Sequence, residues 1–492
     1  MDFLSNVSYF FMLQAVQKGL QIITVPVMTA YLNPGDYGLI AINTAIATAA
    51  LQVSNFGLTN YSERVTFKYF GSKTFSPVFG LTVFSGIVIG LVASILLSVF
   101  PSLWEGFFLR NVTSPVKWFY LLPVWFAFFQ SLNTYYFFYL IDTKDGRLYF
   151  IINFIKTIAT SVVPIAGLLF LQFTVVQVII VYLLIEAAYA VYSVVRLIGI
   201  ATIDLKYIRF LKLGFSFGWP YFLFGFAGWT VQQVDKLFLG FYQGASVLGI
   251  YAISLGFCGI YSMFSQTISY SLSPIIMTHL DRNKSREAEK KMEDVLNIYV
   301  LGLQFCAALI AIFSQEAIYL LTNKMFHNAF RVVPLLLIGM VIRDMDTALN
   351  SYHLMNKNRT FFYNALSFVQ AAVILFLNYL LTPVYGVYGA AAALFTSNLV
   401  IYVINRSYVS RILGKYYSQR KIFVGLLCFT LNCVLIMAVT SSLSAWAAVP
   451  LKLIDVSVVA AVLFAVYRKF EVFSEFTYRF MSIKWFRLKT SY

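Results

Sequence analysis

Two lysines stand inside long apolar stretches, and each has amides beside it. Lys18 lies within the stretch 6–30, where Gln14, Gln17, Lys18 and Gln21 fall at i, i+3, i+4 and i+7, one helical face. Lys236 lies within 212–241, where Trp229, Gln233 and Lys236 share a face. Gln232 and Asp235 are neighbours, Asp235 turned about 100° from Lys236 on a helix. A charge at mid-bilayer costs about 2.5–3.5 kcal/mol on insertion scales, so such an ammonium needs a partner or a wet cavity. An ammonium binds phosphate as a compact charge, and amides can bond sugar or other hydroxyl groups. Two further stripes carry hydroxyls: Thr44, Thr48, Gln52 and Asn55 in 36–58, and Ser254, Cys258, Tyr261, Ser265 and Ser269 in 247–277. The simplest arrangement turns all four stripes to a shared aqueous cavity. The plainer alternative is that they bind helix to helix.

Other intramembrane charges pair on paper. Lys156, with Asn153, Thr157 and Thr160, can meet Glu186 of the next stretch. Arg343 and Asp346 stand at i and i+3 and can pair within one helix. Both pairs are candidates for structural locks, and Asp235 and Glu186 also for ion coupling. Asp344 and Asp346 spell Asp-x-Asp, but on a helix they diverge by about 200° and cannot chelate one metal. His279, His327 and His353 are scattered, and the four cysteines form no CxxC pair. No metal site, disulfide or cofactor is expected. No Ser-His-Asp order and no Gly-rich phosphate loop occurs, so neither hydrolysis nor nucleotide binding is indicated.

The elements that must hold these residues follow from composition. Hydrophobic residues make up 60% of 492 and charged residues 11%, against about 25% charged in soluble domains. A spanning helix needs about 20 apolar residues. Fourteen stretches qualify, near 6–30, 36–58, 78–100, 117–141, 148–171, 174–198, 212–241, 247–277, 294–322, 329–351, 361–382, 385–407, 421–445 and 449–467. The runs are continuous rather than alternating, which excludes a membrane β-barrel. The first stretch lacks a basic leader and cleavage site and is expected to stay as a span.

The net charge of +16 has a topological cause. Of 36 Lys and Arg, 27 fall on alternate connections and the tail, and five on the opposite ones, Lys452 among them. This asymmetry places both termini in the cytoplasm and fits an even helix count. No nucleic-acid partner is needed. The charged segment 279–294 is expected to be a solvated helical extension. The tail from Lys469 to Tyr492 mixes aromatic and basic residues and could lie on an anionic leaflet. Gly86/Gly90 and Gly214/Gly218 have the GxxxG spacing of close helix packing.

A faint repeat runs through the chain. At an offset of 211, Tyr31, Gly38, Ala41 and Ile42 meet Tyr242, Gly249, Ala252 and Ile253. It fits two parallel six-helix halves, an architecture common in transporters.

Three segments carry a family resemblance: Val25–Leu32 followed by Asp36-Tyr37-Gly38, Val234–Phe241 followed by Leu248–Ala252, and Leu381–Ala392. With them the chain resembles the polysaccharide flippases of the multidrug/oligosaccharidyl-lipid/polysaccharide exporter superfamily, the Wzx-type O-antigen flippases. The likeness runs from about residue 6 to about residue 410. It implies an all-α, polytopic membrane protein with two six-helix lobes around a central cavity, at 1–205 and 206–415. The two extra helices with a basic tail expected at 416–492 depart from the commoner twelve-helix pattern of that family. The likeness implies alternating access and no enzymatic activity. The implied cargo is an oligosaccharide on a polyprenyl diphosphate, moved from the cytoplasmic to the outer leaflet of a bacterial inner membrane. Implied partners are membrane lipids and the polysaccharide polymerase and chain-length machinery. On this reading the cavity candidates are Gln14, Lys18, Gln21, Gln52, Trp229, Gln233, Lys236, Tyr261 and Ser265, with Trp229 and Tyr261 stacking on sugar rings. A small-molecule exporter of the same superfamily is the nearest alternative. A membrane polymerase or glycosyltransferase is disfavoured by the short external loops.

Overall fold

The computed structural model describes residues 3–108, 116–282, 286–355, 360–413 and 449–457. The expected span 421–445, most of 449–467, the basic tail and the Lys18 and Ser269 side chains lie outside the described residues.

The described chain is helical, with no strand among the described residues. In order run α1 Phe3–Tyr31, α2 Pro34–Asn55, α3 Leu58–Tyr69, α4 Phe75–Val99, α5 Glu105–Phe108, α6 Leu121–Asp142 and α7 Gly146–Leu171. Then come α8 Val175–Ile198, α9 Arg209–Gln243, α10 Ala245–Arg282, α11 Arg286–Ile312, α12 Ser314–Leu321, α13 Val333–Met355 and α14 Thr360–Leu413. Residues 449–457 are also helical. Six helices among the described residues are long and apolar enough to span a bilayer, and up to eight if two bent helix pairs each count as one. The 35-residue α9 is not among them; its Gln232, Gln233, Asp235 and Lys236, and its Gly, Trp and Tyr content, lower its hydropathy.

Three local features depart from the expected spans. The stretch 36–58 ends early, at a break made by Phe56 and Gly57, both left-handed (φ 44° and 70°). For Phe56 that backbone costs about 1–2 kcal/mol. The amphipathic α3 then starts, burying Leu58, Tyr61 and Val65 while Glu63 and Arg64 stay outside. The stretch 294–322 bends by 52° between α11 and α12. The stretches 361–382 and 385–407 form the single element α14, kinked at Gly386 (φ 55°).

Contacts gather the chain into two compact units. The first comprises 1–254, 319–332 and 367–397. Within it α6 packs on α2, α3, α4 and α8, α7 on α1, and α9 on α2 and α3. Its core collects Leu58, Phe75, Phe79, Tyr135, Tyr136 and Leu197. The second comprises 255–318, 333–366 and 398–492, where α11 packs on α13.

The faint repeat has a spatial meaning inside the first unit. Pro34 opens α2 and Ala245 opens α10, 211 residues apart. A Cβ added to Gly38 would overlap the backbone carbonyl of Ala245. A Cβ added to Gly249 would overlap the carbonyl of Pro34. Each copy thus lays its fifth helical residue on the first residue of the other. Only glycine permits backbones this close.

Candidate polar sites within the membrane-spanning helices

Lys236 sits near the end of α9 with its side chain 17% exposed. Its Nζ donates to Gln233 Oε1 at 2.7 Å and to the Gln232 carbonyl at 2.9 Å. It also lies 3.9 Å from Asp235 Oδ1. Helix geometry turns adjacent residues apart, but the long lysine chain curls back to its neighbour. Asp235 is buried and accepts from the Lys236 backbone N–H at 2.8 Å and the Tyr251 hydroxyl at 2.6 Å. Tyr251, itself fully buried on α10, thus ties the two helices. Part of the Lys236 side chain stays exposed beside these partners.

On α1, Gln14 is half-buried and Gln17 and Gln21 are exposed. Gln17 donates to Thr157 Oγ1 on α7 at 3.3 Å. On α2, Thr44 is exposed and Thr48 and Gln52 are half-buried, both threonine hydroxyls turned to their own helix's carbonyls. The Gln52 Oε1 stands where a Cβ on Gly225 of α9 would go. Trp229 is buried, and its indole N–H donates to the Ala45 carbonyl of α2 at 3.0 Å. These residues therefore run along neighbouring helices of the first unit.

The expected partner of Lys156 is in place. Its Nζ lies 2.7 Å and 2.8 Å from the two oxygens of Glu186. Glu186 is buried and also accepts from Asn133 at 2.7 Å, while Asn133 accepts from Ser193 at 2.8 Å. A buried pair with its remaining lone pairs satisfied holds helices in register; removing one partner costs about 3–5 kcal/mol. The arrangement joins α6, α7 and α8 as a lock.

The stripe of α10 departs from the expectation of a wet face. Ser254, Cys258, Tyr261 and Ser265 are all buried. Ser254 donates to the Ala329 carbonyl at 2.8 Å, and Ser265 donates to Asp344. Small hydroxyls at this spacing let helices pack closely, and here they do so instead of lining water. Tyr261 offers no ring face to a ligand in this conformation. Arg343 pairs with its neighbour Asp344 at 2.9 Å, and Asp346 accepts from Asn405 at 2.6 Å. Lys452, expected in an external loop, is buried, its Nζ 2.8 Å and 3.1 Å from the Glu316 carboxylate. Sequence reasoning missed this pair because Glu316 is remote in the chain, and Tyr251 because a tyrosine among apolar residues carries no charge to mark it. The burial of Lys452 was masked by its place beside Pro450 at a stretch boundary.

The helices and their apolar lengths define a polytopic helical membrane protein. Residues 27–331 match the family described as polysaccharide biosynthesis protein. The chain belongs to that polysaccharide biosynthesis protein family. Among solved structures it is similar to a lipid II flippase, MurJ, in an inward closed conformation, with a TM-score of 0.72, 12% identity, and coverage of 94% of this chain and 100% of that one. It is also similar to an inward-facing multidrug resistance MATE transporter of the MOP superfamily, with a TM-score of 0.60, 12% identity, and coverage of 81% and 96%. At these identities the likeness is one of fold. No curated protein sequence matches the chain.

Proposed function

We propose that this chain is a flippase that carries a polyprenyl-diphosphate-linked oligosaccharide from the cytoplasmic to the outer leaflet of a bacterial inner membrane by alternating access. The observation that carries the reading is Lys236, an ammonium bonded to amide oxygens on the long helix α9 with part of its side chain open. The diphosphate is the anion such a group suits, and its attraction is strengthened away from bulk water. Lys18 joins it in this reading as the second cationic contact. Gln14, Gln21, Gln52 and Gln233 supply hydrogen-bonding groups for sugar hydroxyls. Asp235 and Glu186 are the carboxylates through which an ion gradient would couple. The lobes 1–205 and 206–415, with 416–492 beside them, are the bodies proposed to move.

The test is complementation of a deletion strain. Lys236→Gln and Lys18→Gln are each expected to cut surface polysaccharide by at least about tenfold with normal protein levels, the worth of one charge-assisted contact. Full restoration by both variants rejects the cationic reading. A small-molecule exporter is the second reading, favoured by the fold shared with the MATE transporter. It predicts that deletion leaves polysaccharide unchanged and raises sensitivity to cationic drugs.

A further inference from the structure

The face of α9 that ends in Gln233 and Lys236 begins as an aromatic ladder. Phe215, Trp219, Phe222, Phe226, Trp229, Gln233 and Lys236 follow at spacings of four, three, four, three, four and three. Such a stripe drifts about 20° per heptad on a straight helix, so it keeps to one side over all three heptads. The five aromatic positions cover about 21 Å of helix. From Trp219 onward consecutive ring centroids lie close: Trp219–Phe222 at 5.7 Å, Phe222–Phe226 at 6.4 Å and Phe226–Trp229 at 5.1 Å.

A sixth ring comes from the break after α2. Phe56, in its left-handed conformation, lies 6.2 Å from Phe215, 5.8 Å from Trp219 and 5.1 Å from Phe222. The break is seated on α9 by a backbone approach in which a Cβ on Gly57 would overlap the Gly218 carbonyl. Strained backbone of this kind collects at functional sites. The ladder is not sealed: Phe215, Trp219 and Phe226 remain 37%, 50% and 41% exposed. Nor is it purely apolar, since the Gln52 amide of α2 reaches α9 at Gly225, between Phe222 and Phe226.

We infer that this ladder is a subsite for pyranose rings, the sugar-stacking track that leads to the anion contact at Lys236. The inference rests on the flippase reading and deepens it. A pyranose presents one face of C–H bonds, which packs on an aromatic ring, and a rim of hydroxyls, which needs amide or hydroxyl partners. The ladder supplies faces in series, and Gln52 and Gln233 stand along its edge. An isoprenoid tail would use the rings but make no use of the Gln52 amide that reaches them. Because the rings form one row, a glycan of varied sequence can be held by its faces.

The test uses full-length protein in lipid nanodiscs and two probes. One is the oligosaccharide released by mild acid from the lipid-linked pool that a deletion strain accumulates. The other is geranylgeranyl diphosphate, which has tail and diphosphate but no sugar. Trp219→Leu and Phe226→Leu are each expected to weaken oligosaccharide binding about tenfold, the scale of one lost ring stack. Geranylgeranyl diphosphate binding should not change, and Trp219→Phe should keep most oligosaccharide affinity. Loss of geranylgeranyl diphosphate binding with oligosaccharide unaffected would give the ladder to the tail and overturn the inference. So would unaltered binding of both probes by both leucine variants. If the deletion strain accumulates no lipid-linked glycan, or the unmutated protein ignores geranylgeranyl diphosphate, the flippase reading fails and takes the inference with it.

Discussion

The turn between α1 and α2 and the turn between α9 and α10 are copies at the level of backbone and differ in chemistry. In both, the chain re-enters a helix at once and lays a glycine four residues on against the other copy's first helical carbonyl. The first turn stabilises its helix end internally. Asn33 accepts from the Asp36 backbone N–H at 3.0 Å, Asp36 returns the bond at 3.1 Å, and Pro34 occupies the first turn. The second opens at Gly244 (φ 83°), and Gln243 reaches the Thr382 and Pro383 carbonyls of α14. Charge separates them further. Asp235, Lys236 and Tyr251 gather at the second turn, while the equivalent places in the first are Thr24, Val25 and Ile40. The difference teaches that the repeat sets the packing of the backbone, while each copy carries its own polar chemistry, a helix cap in the first and a buried charged cluster in the second.

The strongest way to break the comparison is to fill the shared contact. Gly38→Val and Gly249→Val are each expected to destabilise by about 3 kcal/mol, because overpacking here must push backbone from backbone. The check is the midpoint of heat-induced aggregation in detergent, with equal losses in the two variants. A normal midpoint for either one would mean the reciprocity is accidental. A smaller effect probes what the second copy added. Tyr251→Phe removes a hydrogen bond to a carboxylate and should cost about 1.5–3 kcal/mol, whereas Ile40→Val at the matching place should cost about 0.5–1.5 kcal/mol. Equal losses would remove the asymmetry. The mildest test concerns the first copy's cap: Asn33→Ala should cost about 1 kcal/mol, read as earlier proteolytic cleavage near residue 33, with no change at the second turn.

Much of the architecture was legible because bilayer thickness imposes its own ruler. Apolar runs of fixed length announce spans, and the observed α2, α4, α6, α7 and α8 fall close to the stretches expected. The ion pair of Lys156 and Glu186 was legible too, since two unlike charges in adjacent apolar stretches have few other places to go. The orientation of the α10 hydroxyls was not. A row of Ser, Cys and Tyr looks the same whether it faces water or a neighbouring helix, and only the neighbour decides.

Sequence by itself determined that this chain is a multi-pass helical membrane protein, which lysines are costly to bury, and that two turns share a pattern. Those follow from transfer energies and from local periodicity, both properties of short segments. Tertiary structure decided that the two turns interlock glycine to carbonyl, that Tyr251 caps Asp235, that Lys452 is buried on Glu316, and that Phe56 completes a row of rings on α9. Each depends on groups distant in the chain or on a backbone bend, and neither leaves a mark in a window of neighbouring residues.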